Sequence, residues 1–333
     1  MDDGLLRGVN FGGWLLLERW MTPTLFAGTD AVDEFSFMQT DGAREKINRH
    51  RLEFIQESDF VWLVKNGVNA VRIPVGYWVL DDRLPYVNAR ENLDWAMAMG
   101  DKYRISIIID LHGLPGSQNG LDHSGRVGRA FWYKDIKYRQ ESLRCLAALA
   151  ERYKESKSLW GIQVINEPRL GLFHLKLRRF YREAYELLSG ILTSSCRIII
   201  SDAYTPRLMS GAVRRRGLPV VLDIHLYHMA TIPARYLSVD WFLNKTTRRQ
   251  RMLKRLSRDQ PIIIGEWSGV MHHRTMRGVP RHKREELFSE YVKLQQEAYR
   301  DCAGWFYWSY KTEQPGQWNF RSQVEAGLID PTN

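Results

Sequence analysis

The sequence predicts an α/β protein built as a single (β/α)8 TIM barrel. Two patterns along its 333 residues support this fold: short runs rich in β-branched apolar residues alternate with longer stretches in which apolar residues return every three or four positions. Alternating strands and helices predict a parallel sheet, and eight such units allow the sheet to close and leave no exposed edge. No Pro/Ser-rich linker or shift in composition divides the chain, so residues 1–333 are predicted to form one domain.

The predicted elements follow one another without interruption. In chain order, the strands are expected at 6–9, 70–73, 105–110, 160–165, 197–201, 220–225, 262–266 and 304–307. The clearest helical patterns lie at 54–65, 91–99, 141–153, 175–189, 241–256 and 285–299. The strand runs are short and apolar throughout, as expected for barrel strands that are covered on both faces, whereas the helical stretches are apolar on one face only.

Composition excludes several classes of protein. The chain is 44% hydrophobic and 26% charged with only 3 Cys, which rules out a disordered chain, a collagen and a disulfide scaffold. The net charge of +10 comes partly from basic clusters at 176–179, 214–216, 248–255 and 281–284. These clusters fall in helical stretches or short connections without interleaved aromatic residues, so we interpret them as solvated outer surface and expect no nucleic-acid partner.

Neither a membrane span nor a signal peptide is expected. The longest apolar runs, such as 105–111, are the size of a strand and far short of the roughly 20 residues that cross a bilayer. The chain opens with two acidic residues after Met1, and the apolar stretch 5–17 is interrupted by Arg7, Asn10 and glycines. We therefore expect a cytoplasmic protein or one whose signal has been removed.

Polar residues follow the ends of nearly all the predicted strands, where a barrel carries its chemistry. In strand order they are Asn10, Arg72, Asp110 and His112, Asn166 and Glu167, then His225 and Tyr227, Glu266 and Trp308, the fifth strand being the least informative. Glu167 and Glu266 each end an apolar run and would face the same mouth of the barrel. Two facing carboxylates are the minimum equipment for glycoside hydrolysis by an acid and a nucleophile.

That chemistry requires the two carboxyl groups to differ in pKa. Arg72 is a cation that would keep one of them ionised. Asn166, Trp308 and a neighbouring negative charge are expected to favour the protonated form of the other.

Motifs in the same order as the strands resemble glycoside hydrolase family 5, and within it the exo-β-1,3-glucanase-like branch. The resemblance covers almost the whole chain, and its marks are RGVNFGGWL at 7–15 with Glu18, VRIP at 71–74, DLHG at 110–113, PGSQNG at 115–120 with Asp122, NEP at 166–168, DIHLY at 223–227, GEWS at 265–268 and WSYKTE at 308–313. It implies a single catalytic domain that hydrolyses β-linked glucosides or glucans with retention, without a cofactor or metal.

The resemblance also implies a role for each matching residue. Glu167 would be the general acid/base and Glu266 the nucleophile, with Asn166 holding the sugar 2-hydroxyl. Arg72 and Tyr227 would hydrogen-bond to Glu266. His112 and His225 would line the same subsite, and Trp308 would be the stacking platform for the sugar. Glu18 and Asp122 would hold the non-reducing sugar and close the cleft into a pocket, which implies exo action on a β-linked oligosaccharide, polysaccharide or glucoside.

Three positions depart from the branch. Its aromatic clamp for the leaving sugar falls on Leu121 and Ala230, neither of which is aromatic, and His123 replaces the usual Asn. The departures predict a wider leaving-group subsite, unless other aromatic residues such as Tyr133 or Trp318 take over the clamp.

Other functions would use some of the same residues. Within the same family, an endo-β-1,4-glucanase or another β-glycosidase would use the same carboxylates. A metal-dependent hydrolase would recruit His112, His225, His228, Glu167 and Glu266, but such barrels usually place a His-x-His pair after the first strand, which ends here at Val9-Asn10-Phe11. A catalytically idle carbohydrate-binding barrel could lose either carboxylate, whereas this chain keeps both.

Overall fold

In the computed structural model, which describes residues 4–169, 174–213, 217–230 and 238–333, eight parallel strands close into a barrel in chain order. The strands are β1 Leu6–Asn10, β2 Ala70–Gly76, β3 Ser106–Gly113, β4 Leu159–Gln163, β5 Arg197–Ser201, β6 Val220–Leu226, β7 Ile262–Trp267 and β8 Gly304–Tyr307. β1 pairs with both β2 and β8, so the two ends of the chain meet in one sheet. The predicted fold class is confirmed; that residues 1–333 form a single domain stays a prediction.

Helices separate the strands. They are α1 Glu34–Phe37, α2 Ala43–Glu53, α3 Glu57–Lys65, α4 Arg90–Tyr103, α5 Ile136–Tyr153, α6 His174–Ser189, α7 Pro206–Met209, α8 Val239–Leu256, α9 His273–Arg277, α10 Arg284–Ala298 and α11 Phe320–Glu325. Helix α2 is not among the predicted helical stretches, because this highly charged helix buries only Ala43, Ile47 and Arg51, a stripe one side chain wide. None of the helices in the described ranges has the length and apolar character needed to cross a bilayer.

One side chain from each strand fills the lower interior of the barrel. This layer consists of Leu6, Ala70, Ile108, Trp160, Ile199, Val221, Ile263 and Phe306. Because side chains alternate between the two faces of a strand, residues two and four positions further along β3, Asp110 and His112, also point into the barrel, nearer its carboxyl end. The apolar layer therefore forms the floor beneath the polar site.

The strands that precede the two glutamates do not end where they were predicted to end. β4 ends at Gln163, so Glu167 lies in the following loop rather than directly at the end of a strand. After β4 the Val164 N–H still bonds to the carbonyl of Ile199 on β5, at 3.0 Å, and the Asn166 N–H bonds to the carbonyl of Leu111 on β3, at 3.1 Å. Glu266, in contrast, lies within β7, one residue before its end.

The basic clusters lie on the outside of the barrel. Residues 176–179 belong to α6, 248–255 to α8, and 281–284 to the turn that begins α10, and most of their side chains are exposed. The cluster at 214–216 lies outside the described residues.

Candidate active site

Glu167 and Glu266 meet at the mouth of the barrel. One carboxylate oxygen from each and a ring nitrogen of His225 all lie within 4.8 Å of one another. They border a pocket of about 410 Å³ that is also lined by Glu18, Trp20, His112, Asp122, His123, Tyr204, Tyr227, Met229, Trp308 and Trp318. The structure thus gathers the two carboxylates and most of the predicted supporting residues around one cavity.

Glu266 is held by two donors, one on β2 across the barrel and one directly after β6. Arg72 Nη1 donates to Oε1 at 3.0 Å, and the Tyr227 hydroxyl donates to Oε2 at 2.8 Å. Gly265 makes room for this arrangement: its N–H donates to Asp223 Oδ1 at 2.8 Å, and a Cβ at Gly265 would lie only 2.1 Å from that oxygen. Both Glu266 oxygens are therefore fixed in place by hydrogen-bond donors.

Arg72 is the fully buried hub of the site. Beyond Glu266, it donates to the side-chain oxygens of Asn10 and Asn166 at 2.8 Å and of Gln163 at 2.9 Å, and it lies 3.0 Å from Asp110 Oδ2. Burial alone would lower the pKa of Arg72, but Asp110, Glu266 and Asp223 outweigh it and raise that pKa. The guanidinium is permanently charged and balances this carboxylate cluster.

Asn166 is oriented by its partners. Its Oδ1 accepts from Arg72, which places Nδ2 toward His112 Nε2 at 3.1 Å. His112 Nδ1 lies 2.6 Å from Asp110 Oδ2, and burial, together with the nearby His123, holds the pKa of His112 well below its usual value. His112 is therefore a neutral imidazole whose Nε2 accepts, and its ring stacks on Trp308 with centroids 5.7 Å apart.

His225 lies between three carboxylates. Its Nδ1 is 2.7 Å from Glu167 Oε1 and 3.5 Å from Glu266 Oε2, and its Nε2 is 3.0 Å from Asp223 Oδ2. Burial opposes the charged form, but Glu266, Asp223 and Glu167 together raise the pKa of His225 well above its usual value. The imidazole is therefore protonated and donates through both nitrogens.

The environment of Glu167 corrects one expectation. Asn166 and Trp308 were expected to favour its protonated form, yet neither has a hydrogen bond to the Glu167 carboxylate among the described contacts. Burial would raise the pKa of Glu167, but the hydrogen bond and charge of His225, followed by the charge of His123, hold that pKa well below its usual range. Glu167 is therefore a carboxylate in this arrangement, with the neighbouring proton on His225.

Glu18 has the opposite environment. Burial raises its pKa well above the usual value, in spite of the hydrogen bond that Trp20 Nε1 donates to Oε2 at 2.8 Å, and the charges of Asp122, Glu266 and Glu167 add to the increase. The Glu18 side chain is therefore a neutral acid that can donate a hydrogen bond into the pocket.

The structure describes one of the two predicted clamp positions and both of the aromatic residues that could replace them. Leu121 is 50% exposed and does not line the pocket, and the side chain of Ala230 lies outside the described residues. Of the two substitutes, Trp318 lines the pocket and packs against Trp20 and Tyr227 at 5.6 and 5.9 Å between ring centroids. Tyr133 cannot serve as a clamp, because it is fully buried against Trp132.

The residues considered for a metal site do not form one. Glu167, His225 and Glu266 are close enough to hold an ion. His225, however, engages both nitrogens with carboxylates and is protonated, so it has no lone pair to offer a metal. His228 is buried with its Nδ1 2.7 Å from the Tyr291 hydroxyl and does not line the pocket. The absence of a metal from the reaction stays a prediction.

Several residues of the site were not singled out by sequence. Asn119 Nδ2 donates to the Glu167 carbonyl at 3.1 Å, and Gln118 Nε2 bridges the carbonyls of His112 and Asn166 at 2.6 and 2.9 Å. These bonds support Glu167, whose φ of +40° is uncommon for a residue with a side chain. Both amides lie in the motif at 115–120, and that motif could have identified them as site residues. No sequence motif identifies Tyr204, which lies two residues after Asp202.

Known proteins resemble this chain in sequence and in structure. The family model described as Cellulase (glycosyl hydrolase family 5) matches residues 39–314. A probable glucan 1,3-beta-glucosidase A of Aspergillus fumigatus is 31% identical over 98% of this chain and 88% of that protein, and glucan 1,3-beta-glucosidase 1 of Schizosaccharomyces pombe is 31% identical over 97% and 87%. The crystal structure of a rutinosidase from Aspergillus niger superimposes with a TM-score of 0.77 over 96% of both chains, at 18% identity, and shares the fold.

Proposed function

Since the chain belongs to glycosyl hydrolase family 5 and is thus a retaining O-glycosyl hydrolase, we propose that it releases single β-linked glucosyl units from the non-reducing end of a β-1,3-glucan or related β-glucoside. The observation that carries the proposal is the pair of carboxylates in one pocket, with an oxygen of Glu167 within 4.8 Å of an oxygen of Glu266. A separation near 5 Å suits a covalent intermediate, whereas inverting enzymes need about 6.5–9.5 Å to admit a water. The glucan preference rests on the relatives named above.

In the first step, Glu266 attacks the anomeric carbon while the proton that His225 Nδ1 shares with Glu167 passes through Glu167 to the glycosidic oxygen. Arg72 and Tyr227 aim the Glu266 carboxylate and disperse its charge. Asn166, oriented by Arg72, presents Nδ2 to the sugar 2-hydroxyl, a contact that strengthens as positive charge builds on the ring. Trp308 offers its indole face to the apolar side of the sugar.

In the second step, water enters where the leaving group was. Glu167, again a carboxylate, takes a proton from that water, the new oxygen bonds to the anomeric carbon, and Glu266 departs. Two inversions at one carbon give net retention. Asp122 and the neutral Glu18 would recognise hydroxyls of the terminal sugar and favour exo action.

The test combines stereochemistry with variants. Proton NMR of the first products from an aryl β-glucoside should show the β-anomer, and Glu167→Gln and Glu266→Gln should each abolish most hydrolysis. Glu286→Gln, at an exposed carboxylate in the first turn of α10, is the matched control and should retain wild-type rates. Initial release of the α-anomer, or full activity of either site variant, contradicts the assignment.

A panel of substrates tests the substrate class. Laminari-oligosaccharides, cello-oligosaccharides and aryl glucosides should separate exo-β-1,3 action, which yields glucose alone, from endo-β-1,4 action, which yields a ladder of cello-oligosaccharides. Release of internal fragments from a cellulosic chain would replace the glucan proposal with the endoglucanase alternative.

A further inference from the structure

Besides His225, the side chain of Tyr204 hydrogen-bonds to the carboxylate of Glu167. Tyr204 lies in the loop after β5 and lines the pocket together with Glu167, and its hydroxyl bonds to that carboxylate. His225, within β6, places its Nδ1 2.7 Å from Glu167 Oε1. The acid/base is thus held by side chains from two neighbouring strand ends.

The backbone around Tyr204 is strained, and packing of the ring does not explain the strain. Ala203 and Tyr204 have φ of +46° and +59°, a left-handed conformation that residues with a side chain rarely adopt. Tyr204 is 60% exposed, so burying its ring in the core is not what this conformation achieves. What it achieves is the place of the hydroxyl, which lies in the pocket against Glu167.

Local hydrogen bonds hold the strained turn. Ser201 Oγ accepts from the Ala203 N–H at 3.2 Å, and Asp202 Oδ1 accepts from the Tyr204 N–H at 3.0 Å. The Asp202 carbonyl accepts from the Thr205 N–H at 2.8 Å. Strain that the surroundings maintain in this way is typical of residues placed for function.

The hydroxyl of Tyr204 is a donor that keeps its hydrogen. Burial at the hydroxyl end, followed by the charge of Glu167, raises the pKa of Tyr204. The phenol therefore stays neutral and donates to the carboxylate. Tyr227 has the same relation to Glu266, because its hydroxyl donates to Oε2 at 2.8 Å. Each of the two carboxylates of the pocket is thus bonded to one phenol.

We propose that Tyr204 is a positioning residue that orients the Glu167 carboxylate for both of its proton transfers, an inference that rests on the proposed acid/base function of Glu167. In the first step, the oriented carboxylate passes the proton shared with His225 to the glycosidic oxygen, which keeps the bonding electron pair while Glu266 bonds to the anomeric carbon. In the second step, the oxygen of the entering water bonds to that carbon, Glu266 departs, and the proton of the water returns to Glu167 and His225. Tyr204 exchanges no proton in either step.

The test is Tyr204→Phe, which removes only the hydroxyl of an exposed residue, assayed with aryl β-glucosides of differing leaving-group acidity. For a poor leaving group, kcat/KM should fall by about tenfold, the lower end of what a hydrogen bond to a charged group contributes. For a leaving group so activated that breakdown of the glycosyl-enzyme limits turnover, kcat/KM should stay within about twofold of the wild type, because departure needs no acid. With that substrate kcat and KM should fall together, since the second step still needs the base.

Two controls separate positioning from other roles. Tyr103→Phe removes a hydroxyl that donates to Glu57 on the outer surface, and it should keep wild-type rates on both substrates. In a Glu167→Ala background, Tyr204→Phe should leave the azide-rescued rate within about twofold, because Tyr204 has no carboxylate left to orient.

An equal loss for all leaving groups, or a loss that persists without Glu167, overturns the inference and assigns Tyr204 to sugar binding. Unchanged or faster turnover of the poor substrate by Tyr204→Phe also overturns it, because a lost donor makes the carboxylate more basic and the gain in basicity would then outweigh orientation. If the wild type cleaves no β-glycoside, or Glu167→Ala is fully active, the proposed function itself has failed.

Discussion

Replacing Arg72 with Met should lower kcat/KM and destabilise the fold. Arg72 Nη1 lies 3.0 Å from Glu266 Oε1, and the guanidinium is wholly excluded from solvent. Together with the Tyr227 hydroxyl, it is one of the two donors that orient the carboxylate that attacks the sugar. Met fills a similar volume but cannot donate a hydrogen bond, so Glu266 should no longer be held in the position required for attack.

The structure also sets the size of the effect. Misplacing a reacting group by about 1 Å can cost about 100-fold in rate, so we expect kcat/KM to fall by about that factor. Asp110 at 3.0 Å and Asp223 at 3.8 Å share the same guanidinium and would also lose their buried cation. Removing one partner from a buried ion pair destabilises the fold by about 3–5 kcal/mol.

The assay is kcat/KM for an activated aryl β-glucoside, measured well below the melting temperature of each variant. Arg72→Lys is the matched control, because it keeps the charge but cannot replace the forked donors to Asn10, Gln163 and Asn166. It should lose less stability than Arg72→Met, while its rate also falls. A folded Arg72→Met variant with wild-type kcat/KM would refute the view that Arg72 positions Glu266.

Three further outcomes are expected. Azide should restore the turnover of Glu167→Ala and give a β-glycosyl azide, whereas any azide product of Glu266→Ala should be the α-anomer. If the two anomers are exchanged, the assigned roles of the two glutamates are exchanged as well. The double variant Leu121→Phe/Ala230→Phe should raise kcat/KM for laminaribiose relative to an aryl glucoside by roughly tenfold, since each stacked ring contributes on the order of 1 kcal/mol. If the wild-type enzyme already prefers long β-1,3-glucan, the clamp is not missing. Because burial raises the pKa of Glu18, KM should increase at a pH above the ordinary carboxyl range as Glu18 ionises, and this increase should vanish in Glu18→Gln; persistence in the variant assigns it to another group.

Local patterns were enough to place the elements of the barrel. The strand at 197–201 was predicted with the bounds that the structure gives it, and α8 differs from its prediction only at its first residues. Helix α2 was not predicted, because its buried face is only one side chain wide and ends in Arg51. The buried charge of Arg51 is balanced by Glu34 at 3.3 Å, a contact between residues that are distant in the sequence. Periodicity reports which face of an element is buried only when that face is apolar.

The sequence by itself therefore determined the α/β class, the order of the strands and the residues at the mouth, because strand alternation and the common direction of parallel strands are local rules. Beyond the contacts of Arg72 and Tyr227 with Glu266, which the resemblance implied, only the tertiary structure decided how those residues pair. Glu167 and His225 stand 58 positions apart, and their contact reverses the expected protonation of Glu167. Tyr133 entered the core, and His123 reached Glu167. Hydrogen-bond partners and the dielectric around a charge depend on packing between strands, and no local pattern encodes that packing.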